Sequence, residues 1–467
     1  MRSTVSLSQF TKMNNNQKKS IQTKALTYKP ELASQLFSAL EHLPWSMLLR
    51  SASDNHIDSR FDIIVANPIA TLTTFGDETI ITEPGAISTS ADDPFALLNT
   101  LQARYLPHEV YSQTLPFIGG AVGYFSYDLG RRIENLPEQA EHDISMPDMA
   151  VGLYEWAVVI DHHQKTAQWI GSNIEQALSW YESQCAPAAQ AFQLTTPWQS
   201  NMTPETYAEK FSTVQEYLRS GDCYQINLAQ RFKAQYQGSE WQAYNKLEKF
   251  NQAPFSAFIR TGQGALLSVS PERFLQLRET KIETKPIKGT RPRSLDTKQD
   301  QANAAELACA EKDQAENLMI VDLLRNDIGR VAKPGTVHVP KLFDIESFPA
   351  VHHLVSTIRA ELDDGYSASD LLRAGFPGGS ITGAPKVRAM EIIEELEPHR
   401  RSAYCGSIGY ISRHGQMDTS ITIRTLVAQN NCLYAWAGGG LVADSQCDAE
   451  FQETLDKLSR ILPVLEK

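Results

Sequence analysis

Apolar residues recur three or four positions apart in several stretches of the chain, which is the spacing of one helix face. The stretches 32–40 and 94–106 predict helices of this kind. Thr203 followed by Pro204 has the form of an N-cap and a first helical residue, so a third helix is expected to begin there. A last helix is expected over 451–462.

Short continuous apolar runs predict strands between these helices. They lie at 45–49, 62–66, 79–81 and 223–228. Two further runs, 158–161 and 167–170, flank a polar turn and predict a β-hairpin. Because strands and helices do not alternate in a steady βα rhythm, the pattern favours an α+β fold with antiparallel sheets.

Polar segments without an apolar period divide the chain into three regions. Residues 1–27 are expected to form a mobile N-terminal tail. The segment 186–197 is the candidate internal linker, so a boundary is expected near residue 197. An amino-terminal region, 28–197, would then precede a second region, 198–467.

Composition and charge restrict the class of protein. With 467 residues, 42% of them hydrophobic, the chain can bury a large core. A net charge of -12 argues against broad attraction to nucleic acid or an anionic membrane face, but leaves room for a local basic pocket. The sequence has no run of about 18 apolar residues, and its six cysteines lack metal-ligand spacing. We therefore expect a cytoplasmic protein without disulfides.

The segment 284–293 combines four cationic side chains with two prolines and a glycine. Proline fixes φ, so a rigid loop is expected, and Gly289 would allow another backbone or a ligand to approach Lys288. Taken alone, the segment is also typical of a solvated surface loop.

This segment is the first of five sequence blocks that together resemble the chorismate-utilising enzymes. The blocks are residues 284–293, 322–327, 379–386, 423–425 and 450–457. The resemblance is strongest over 203–460, and it implies two large packed, mainly antiparallel β-sheets flanked by helices. The region 198–467 would then bind chorismate.

The residue type at position 288, in the first block, differs between the branches of this family. Lys288 resembles the branch that aminates chorismate at C4, whereas anthranilate synthases carry a small residue there. The resemblance implies a Mg²⁺-dependent, transaminase-class amination that leads towards 4-aminobenzoate and folate, with Lys288 forming a covalent intermediate at C2. The alternative enzyme is an anthranilate synthase component. The alternative of another class is a non-catalytic chorismate or tryptophan sensor.

Two titrating groups follow from this chemistry. An amine attacks only when neutral, and we expect repulsion from Lys285, Arg291 and Arg293, or desolvation beneath bound substrate, to lower the pKa of Lys288. Glu272 matches the family's general acid, a role that requires a pKa raised by burial. A salt bridge to a neighbouring cation is the alternative role for Glu272.

Three glutamates are the candidate metal ligands. Glu450, Glu453 and Lys457 share one face of the last predicted helix, because they stand three and four apart. Carboxylate pairs of this kind can hold Mg²⁺, although a surface Glu-Lys ladder has the same spacing. Glu316 matches the third metal-binding glutamate of the family. The cation would allow a dianionic substrate to approach these carboxylates.

The candidate substrate contacts begin with Arg424, whose guanidinium can hold a carboxylate in a bidentate fork. The others are Tyr410, Lys457, Ser380, Thr382, Gly438, Gly439, Gly440 and Gln225. The three glycines would form either an anion-binding nest or a turn. Gln225 stands where water-using relatives carry a lysine, which disfavours water as nucleophile. His353 matches the family histidine near the ring, and a core histidine is the alternative.

The sequence also suggests where the ammonia comes from and where a second ligand would bind. No cysteine stands in the glycine context of a glutaminase nucleophile, so ammonia would come from solution or, as the resemblance implies, from a separate glutamine-hydrolysing amidotransferase subunit. Ser51, Pro254 and Phe255 match positions that line a tryptophan pocket in related proteins. Core packing is the alternative for these three residues.

Overall fold

The structure is a computed structural model of the chain. It describes residues 20–467 except 54, 55, 57, 112, 113, 187, 189 and 348–350. The predicted tail, 1–27, lies outside the described residues up to residue 19. From Gln22 the prediction is wrong, because Gln22–Leu26 form strand β1. Its side chains are mostly exposed, so β1 is ordered by pairing with a neighbouring strand rather than by an apolar pattern.

Strands account for most of the fold. In the first half they are β1 Gln22–Leu26, β2 Met47–Arg50, β3 Phe61–Val65, β4 Ala70–Phe75, β5 Glu78–Glu83, β6 Ala86–Ser90, β7 Gly120–Phe125, β8 Met149–Tyr154, β9 Trp156–Asp161, β10 Thr166–Gly171, β11 Gln193–Leu194 and β12 Gln199–Ser200. In the second half they are β13 Gln225–Gln237, β14 Phe255–Arg260, β15 Ala265–Ser270, β16 Arg273–Arg278, β17 Lys281–Thr284, β18 Ile287–Pro292, β19 His338–Ser347, β20 Val351–Glu361, β21 Gly383–Ala384, β22 Ser407–Ser412, β23 Met417–Ile421, β24 Thr425–Gln429 and β25 Cys432–Leu441.

Helices flank these strands. They are α1 Leu32–Phe37, α2 Pro94–Tyr105, α3 Ile174–Glu182, α4 Pro204–Ser220, α5 Glu240–Asn251, α6 Thr297–Ala308, α7 Glu311–Gly329, α8 Ala368–Gly375, α9 Lys386–Leu396, α10 Cys447–Leu458 and α11 Leu462–Leu465, with 3₁₀ turns at Tyr127–Arg132 and Gly379–Ile381. No helix in the described part of the chain is both long enough and apolar enough to cross a membrane.

Two large antiparallel sheets organise the molecule, as the resemblance implied. The first sheet has the order β1-β10-β9-β3-β2-β14-β15-β24-β25-β13-β11, and β12 and β21 also pair with β13. The second has the order β18-β20-β17-β16-β23-β22-β7-β8-β4-β5-β6, and β19 also pairs with β20. Both sheets combine strands from either side of residue 197, so the predicted boundary does not separate two sheets.

Each face of the first sheet has its own apolar cluster. The larger cluster joins the two sheets, with Leu72 and Tyr124 of the second packed in the same core as Leu228 of the first. The smaller cluster lies between the first sheet and its covering helices. There the rings of Phe37, Trp241 and Phe258 pack with centroids 5.1 to 5.8 Å apart. Burial of apolar area on both faces of this sheet is the main force that holds it between its neighbours.

Several predicted elements are confirmed with their physical cause. The Thr203 hydroxyl accepts a hydrogen bond from the Thr206 N–H, and the Thr206 side chain accepts from the Thr203 N–H, a reciprocal cap at the start of α4. The predicted hairpin is the β9–β10 pair. The segment 284–293 differs from expectation, because most of it is the edge strand β18 rather than a loop. Proline is tolerated on an edge strand, where a missing donor leaves no partner unpaired.

Candidate active site

Strand β18 pairs with β20 and brings Lys288 to the turn that holds Ser380. The pairing of β18 with β20 shifts register between Lys288 and Thr290, which marks a β-bulge at Gly289. Gly289 has φ +72°, and a Cβ there would lie 2.7 Å from Cγ of Asp313. Only glycine fits this close approach. Nζ of Lys288 donates to the carbonyl oxygen of Ser380 at 3.3 Å.

The three cations expected to act on Lys288 are bound elsewhere. Their ion pairs are Lys285 with Glu346 at 2.6 Å, Arg291 with Glu306 at 3.0 Å and Asp313 at 3.3 Å, and Arg293 with Asp300 at 2.8 Å. These partners neutralise the three cations, and the carboxylates of Glu272, Glu316 and Glu453 also interact with the charge of Lys288. Activation of Lys288 by repulsion or by desolvation beneath the substrate stays a prediction.

Glu272 precedes β16 and is only 8% exposed. Its Oε1 accepts a hydrogen bond from the Ser380 hydroxyl at 3.2 Å. Burial raises the pKa of Glu272 to about 7, although Lys288, the Ser380 hydrogen bond, Lys457 and Arg424 all act to lower it. The raised pKa required of a general acid is thus present, and its cause is the desolvation expected from the sequence.

Arg424 provides a second cation that interacts with Glu272. It has φ +50° at the start of β24, and among the described residues no carboxylate lies within ion-pair distance of its guanidinium. Burial and the charge of Arg460 lower the pKa of Arg424, while Glu272 raises it. A buried guanidinium with unused donors is suited to bind an incoming carboxylate.

His353 lies on β20, beside the bulge. Its Nδ1 is 2.9 Å from the Thr290 hydroxyl. Burial, followed by the charge of Arg424, lowers the pKa of His353 to about 4, against a backbone hydrogen bond to Gly289. The imidazole is therefore neutral near pH 7, where it can accept or donate a hydrogen bond but does not supply a positive charge.

The three predicted metal ligands come from two helices. Glu316 lies on α7, and Glu450 and Glu453 lie on α10 beside β25. A Cβ added to Gly439 would lie 3.1 Å from Oε2 of Glu450 and 3.6 Å from Oε1 of Glu453. Burial raises the pKa of Glu316 against the charges of two lysines, and the charge of Glu450 adds to the rise. The carboxylates thus act on one another across the gap between the helices.

Cations already neutralise two of these carboxylates. Nζ of Lys312 is 3.3 Å from Oε1 of Glu450, and the Ser445 hydroxyl donates to the same oxygen at 2.6 Å. Nζ of Lys457 is 2.7 Å from Oε1 of Glu453. The three glutamates are not a set whose ligand atoms all lie within 4.8 Å of one another. Hard carboxylate oxygens are the ligands that Mg²⁺ prefers, so the three residues fit the ion by their chemistry.

The other predicted substrate contacts lie on β25, on β13 and beside the Ser380 turn. Gly438–Gly440 lie inside β25, so they form neither the nest nor the turn considered from the sequence. A Cβ at Gly440 would lie 2.0 Å from Nε2 of Gln225, which explains the glycine by close packing. Gln225 is buried and its Oε1 has no hydrogen-bond partner among the described residues. The Thr382 hydroxyl is buried and donates to the turn's own carbonyls, so it braces the turn.

Tyr410 is not brought together with the other substrate-binding candidates. It lies on β22, and it lines a separate pocket between the two sheets with Ser51, Pro254 and Phe255. A contact of Tyr410 with the same ligand as Arg424 stays a prediction. The three residues matched to a tryptophan pocket are therefore adjacent. Arg273 lines the same pocket, with its guanidinium 5.0 Å over the ring of Phe255.

Two contributors were not predicted from the sequence. Lys312 stands one helical turn before Glu316, a spacing that would have revealed it as a neighbour. The second is a buried ion pair that ties α9 to α7, in which Nζ of Lys386 lies 2.5 Å from Oδ2 of Asp327. The same Nζ donates to the Gly375 carbonyl at 3.1 Å. No sequence spacing connects Lys386 with Asp327, so only the fold reveals this support of the Ser380 turn.

Comparisons with known proteins agree with this geometry. The family model described as chorismate binding enzyme matches residues 46–463. The chain is 59% identical to aminodeoxychorismate synthase component 1 of Escherichia coli, over 95% of this chain and 98% of that protein. It is 58% identical to the protein of the same name from Klebsiella aerogenes, over 95% and 98% of the two chains.

A solved structure shows the same architecture. Anthranilate synthase component I from Streptococcus pneumoniae superposes with a TM-score of 0.76 at 30% identity, covering 87% of this chain and 93% of that one. The matched family model extends across both sheets and includes the residues around Lys288, Glu272 and Arg424. The chain belongs to the family of chorismate binding enzymes.

Proposed function

We propose that the chain converts chorismate and ammonia into 4-amino-4-deoxychorismate, in the cytoplasm, as a transaminase-class step towards 4-aminobenzoate and folate. Two relatives that share more than half of its residues carry the name aminodeoxychorismate synthase component 1. The observation that carries the proposal is the position of Lys288 beside Glu272. Ser380 connects them, because its carbonyl accepts from Lys288 and its hydroxyl donates to Glu272.

Transfer of one proton between Lys288 and Glu272 gives each residue the protonation state that the reaction requires. Moving a proton from the Lys288 ammonium to the Glu272 carboxylate gives a neutral amine and a carboxylic acid. The pKa of Glu272, raised by burial to about 7, makes the acid form accessible near neutral pH. A nucleophile and a general acid are thereby prepared together, without the neighbouring cations that the sequence suggested.

The reaction then proceeds by two displacements. The amine of Lys288 forms a bond to C2, both conjugated ring double bonds shift towards C4, and the C4 hydroxyl takes the Glu272 proton and leaves as water. Ammonia next forms a bond to C4, both double bonds shift back, and the C2–N bond breaks to release Lys288 as a neutral amine. The new ammonium group returns a proton to Glu272. The balance is chorismate plus ammonia to aminodeoxychorismate plus water.

Substrate carboxylates are held at two places. The donors of Arg424 bind one carboxylate, and His353 stays neutral beside the ring. Glu316, Glu450 and Glu453 would hold Mg²⁺, and the ion, when bound, neutralises the second carboxylate of the substrate. Lys457, whose Nζ donates to the Gly438 carbonyl at 2.7 Å, adds positive charge at that end.

A product assay tests the proposal against its alternatives. Purified chain with chorismate, ammonium and Mg²⁺ should yield aminodeoxychorismate, identified by mass spectrometry, without release of pyruvate. Fluorescent anthranilate together with stoichiometric pyruvate would instead show anthranilate synthase activity, the function named for the Streptococcus pneumoniae structure. No turnover under these conditions would favour a non-catalytic sensor.

We propose that the ammonia comes from a separate glutamine-hydrolysing subunit. The relatives are named component 1, a name that implies a partner component. Ammonium should support turnover by the chain alone, whereas glutamine should do so only after an amidotransferase subunit is added. Glutamine use by the purified chain alone would contradict this assignment.

We propose tryptophan as a ligand of the pocket between the sheets. Its lining combines the Phe255 ring and Pro254 with the polar groups of Ser51 and Arg273, a mixture that suits an aromatic amino acid. Tryptophan should raise the melting temperature of the chain, and Ser51→Trp should abolish the rise by filling the pocket. Equal melting temperatures with and without tryptophan would contradict the assignment.

A further inference from the structure

Lys312 lies where the three predicted metal ligands meet. It stands in the first turn of α7, and Glu316 follows four residues later on the same helix face. Across the gap, its Nζ is 3.3 Å from Oε1 of Glu450 on α10. A single ammonium group is thus shared by carboxylates from both helices.

The charges around Lys312 support this description. Burial acts to lower the pKa of Lys312. The carboxylates of Glu450, Glu316 and Glu453 raise it by more than this, so the pKa is raised overall. Glu450 has no second ion-pair partner in the described part of the chain. Lys312 therefore supplies the positive charge for the least exposed member of the set.

The carboxylates and the cation differ in freedom to move. Glu450 is 5% exposed and is held by the 2.6 Å hydrogen bond from Ser445. The side chain of Lys312 is 50% exposed and ends a flexible four-carbon stem. The carboxylate is fixed in position, whereas the ammonium can move into solvent at little cost.

We propose that Lys312 is a tethered counter-ion of the metal site, which neutralises Glu316, Glu450 and Glu453 in the metal-free protein and withdraws to solvent when Mg²⁺ binds. The inference rests on the proposed function, because that function places Mg²⁺ at these glutamates. An ammonium group and a divalent cation compete for Oε1 of Glu450, since their charges repel. Binding of the ion therefore weakens the contact of Lys312 with Glu450.

Two consequences follow for the protein's own behaviour. Without metal, Lys312 relieves repulsion among three carboxylates and links α7 to α10 through its ion pair with Glu450. With metal, the Lys312 contact must first break, which weakens Mg²⁺ affinity by the strength of a half-exposed ion pair. Lys312 thus stabilises the metal-free arrangement of the three glutamates and weakens Mg²⁺ binding.

The first test measures Mg²⁺ binding and stability in Lys312→Gln. By titration calorimetry, the variant should bind Mg²⁺ up to about fivefold more tightly than the parent protein. In EDTA its melting temperature should fall, and saturating Mg²⁺ should restore more of it than in the parent. Lys298→Gln, at an exposed position of α6, is the matched control and should change neither quantity.

The second test follows the side chain directly. Acylation of lysines, read by peptide mass spectrometry, should become severalfold faster at Lys312 when Mg²⁺ is saturating, and should not change at Lys298. Unchanged or slower labelling of Lys312 would overturn the counter-ion role, as would weaker Mg²⁺ binding by Lys312→Gln. Absence of Mg²⁺ binding in the parent protein would instead overturn the metal assignment itself, so the two failures are distinguishable.

Discussion

At the residue scale, the chemistry depends on how two groups of opposite charge share a proton. Lys288 and Glu272 lie on either side of Ser380, and both are shielded from solvent to different degrees. Burial raises the pKa of Glu272, whereas the Lys288 charge opposes the rise. Replacing Lys288 should therefore raise the pKa of Glu272 further.

Replacing Lys288 separates attraction from covalent catalysis. Lys288→Ala should lower kcat by at least about 10³-fold, because the nucleophile is lost, while KM rises by roughly tenfold at most. A chorismate adduct on Lys288 should be trapped in the parent protein and detected by peptide mass spectrometry.

Lys288→Arg is the matched control for charge. Arginine keeps the cation but stays protonated, so it cannot attack C2. If Lys288 only attracted the substrate, the Arg variant would recover most of kcat. Wild-type kcat in either variant, without an adduct in the parent, would refute the covalent step.

The sequence reveals the identity of these residues but not their surroundings. Glu272, Arg424 and Lys288 were predicted from blocks of sequence, and in the structure the charges of Lys288 and Arg424 act on Glu272. The cations near Lys288 in the chain pair with carboxylates on other elements, which the sequence does not reveal. Likewise, only the pairing of the strands shows that Tyr410 lines the pocket between the sheets.

At the element scale, the bulge in β18 determines where Lys288 points. Gly289→Ala should destabilise the protein by about 1–3 kcal/mol, because its φ of +72° is strained for alanine and the new Cβ meets Asp313 and Leu307. Displacement of the strand should lower kcat more than it raises KM. Gly262→Ala, which meets nothing within 4 Å, is the matched control and should leave both unchanged. Normal kcat in Gly289→Ala would show that the bulge does not position Lys288.

Helices α7 and α10 act together as the expected metal-binding element. Glu316→Ala, Glu450→Ala and Glu453→Ala should each shift the Mg²⁺ dependence of turnover to concentrations roughly tenfold higher or more, because each loses an oxygen ligand. Asp456→Ala, on an exposed face of α10, is the control. Identical Mg²⁺ titrations for all three glutamate variants would remove the metal assignment.

The elements themselves were predictable where local chemistry determines them. The cap at Thr203 and the apolar faces of α2 and α4 depend on residues close in sequence, and these helices were confirmed. Strands β1 and β18 were missed because their order depends on pairing with β10 and β20, which are distant in sequence. Edge strands with exposed side chains carry no apolar period to reveal them.

At the scale of the whole molecule, the sheets bind the two halves of the chain together. Strand β2 pairs with β14, and β7 pairs with β22, so in each sheet a block of strands from before residue 197 is joined to a block from after it. The composition of the linker indicates where the chain is poor in regular structure, but it contains no information about which strands pair. Domain regions drawn from sequence therefore need not be units that fold separately.

Burial of acidic groups throughout this large core should make stability depend on pH. Asp128, Glu248 and Glu272 lie in different parts of the molecule, and burial raises the pKa of each to about 7. Below about pH 3 these groups are mostly neutral in both the folded and the unfolded chain. As pH rises towards 7 the unfolded chain ionises first, so the folded state loses stability across this interval and reaches a plateau above it.

Glu248→Gln tests this dependence away from the active site. Glu248 lies on α5 and pairs with Arg50 at 3.0 Å, yet its burial outweighs the attraction of Arg50 and raises the pKa from 4.5 to about 7. The amide does not ionise, so relative to the parent the variant should gain about 3 kcal/mol between pH 4.5 and pH 8, measured by urea unfolding. Glu209→Gln, which removes an exposed carboxyl of α4, should leave the slope unchanged. If the parent and Glu248→Gln lost stability in parallel as pH rises, Glu248 would be ionised in the folded protein, and attraction to Arg50 would outweigh desolvation at this site.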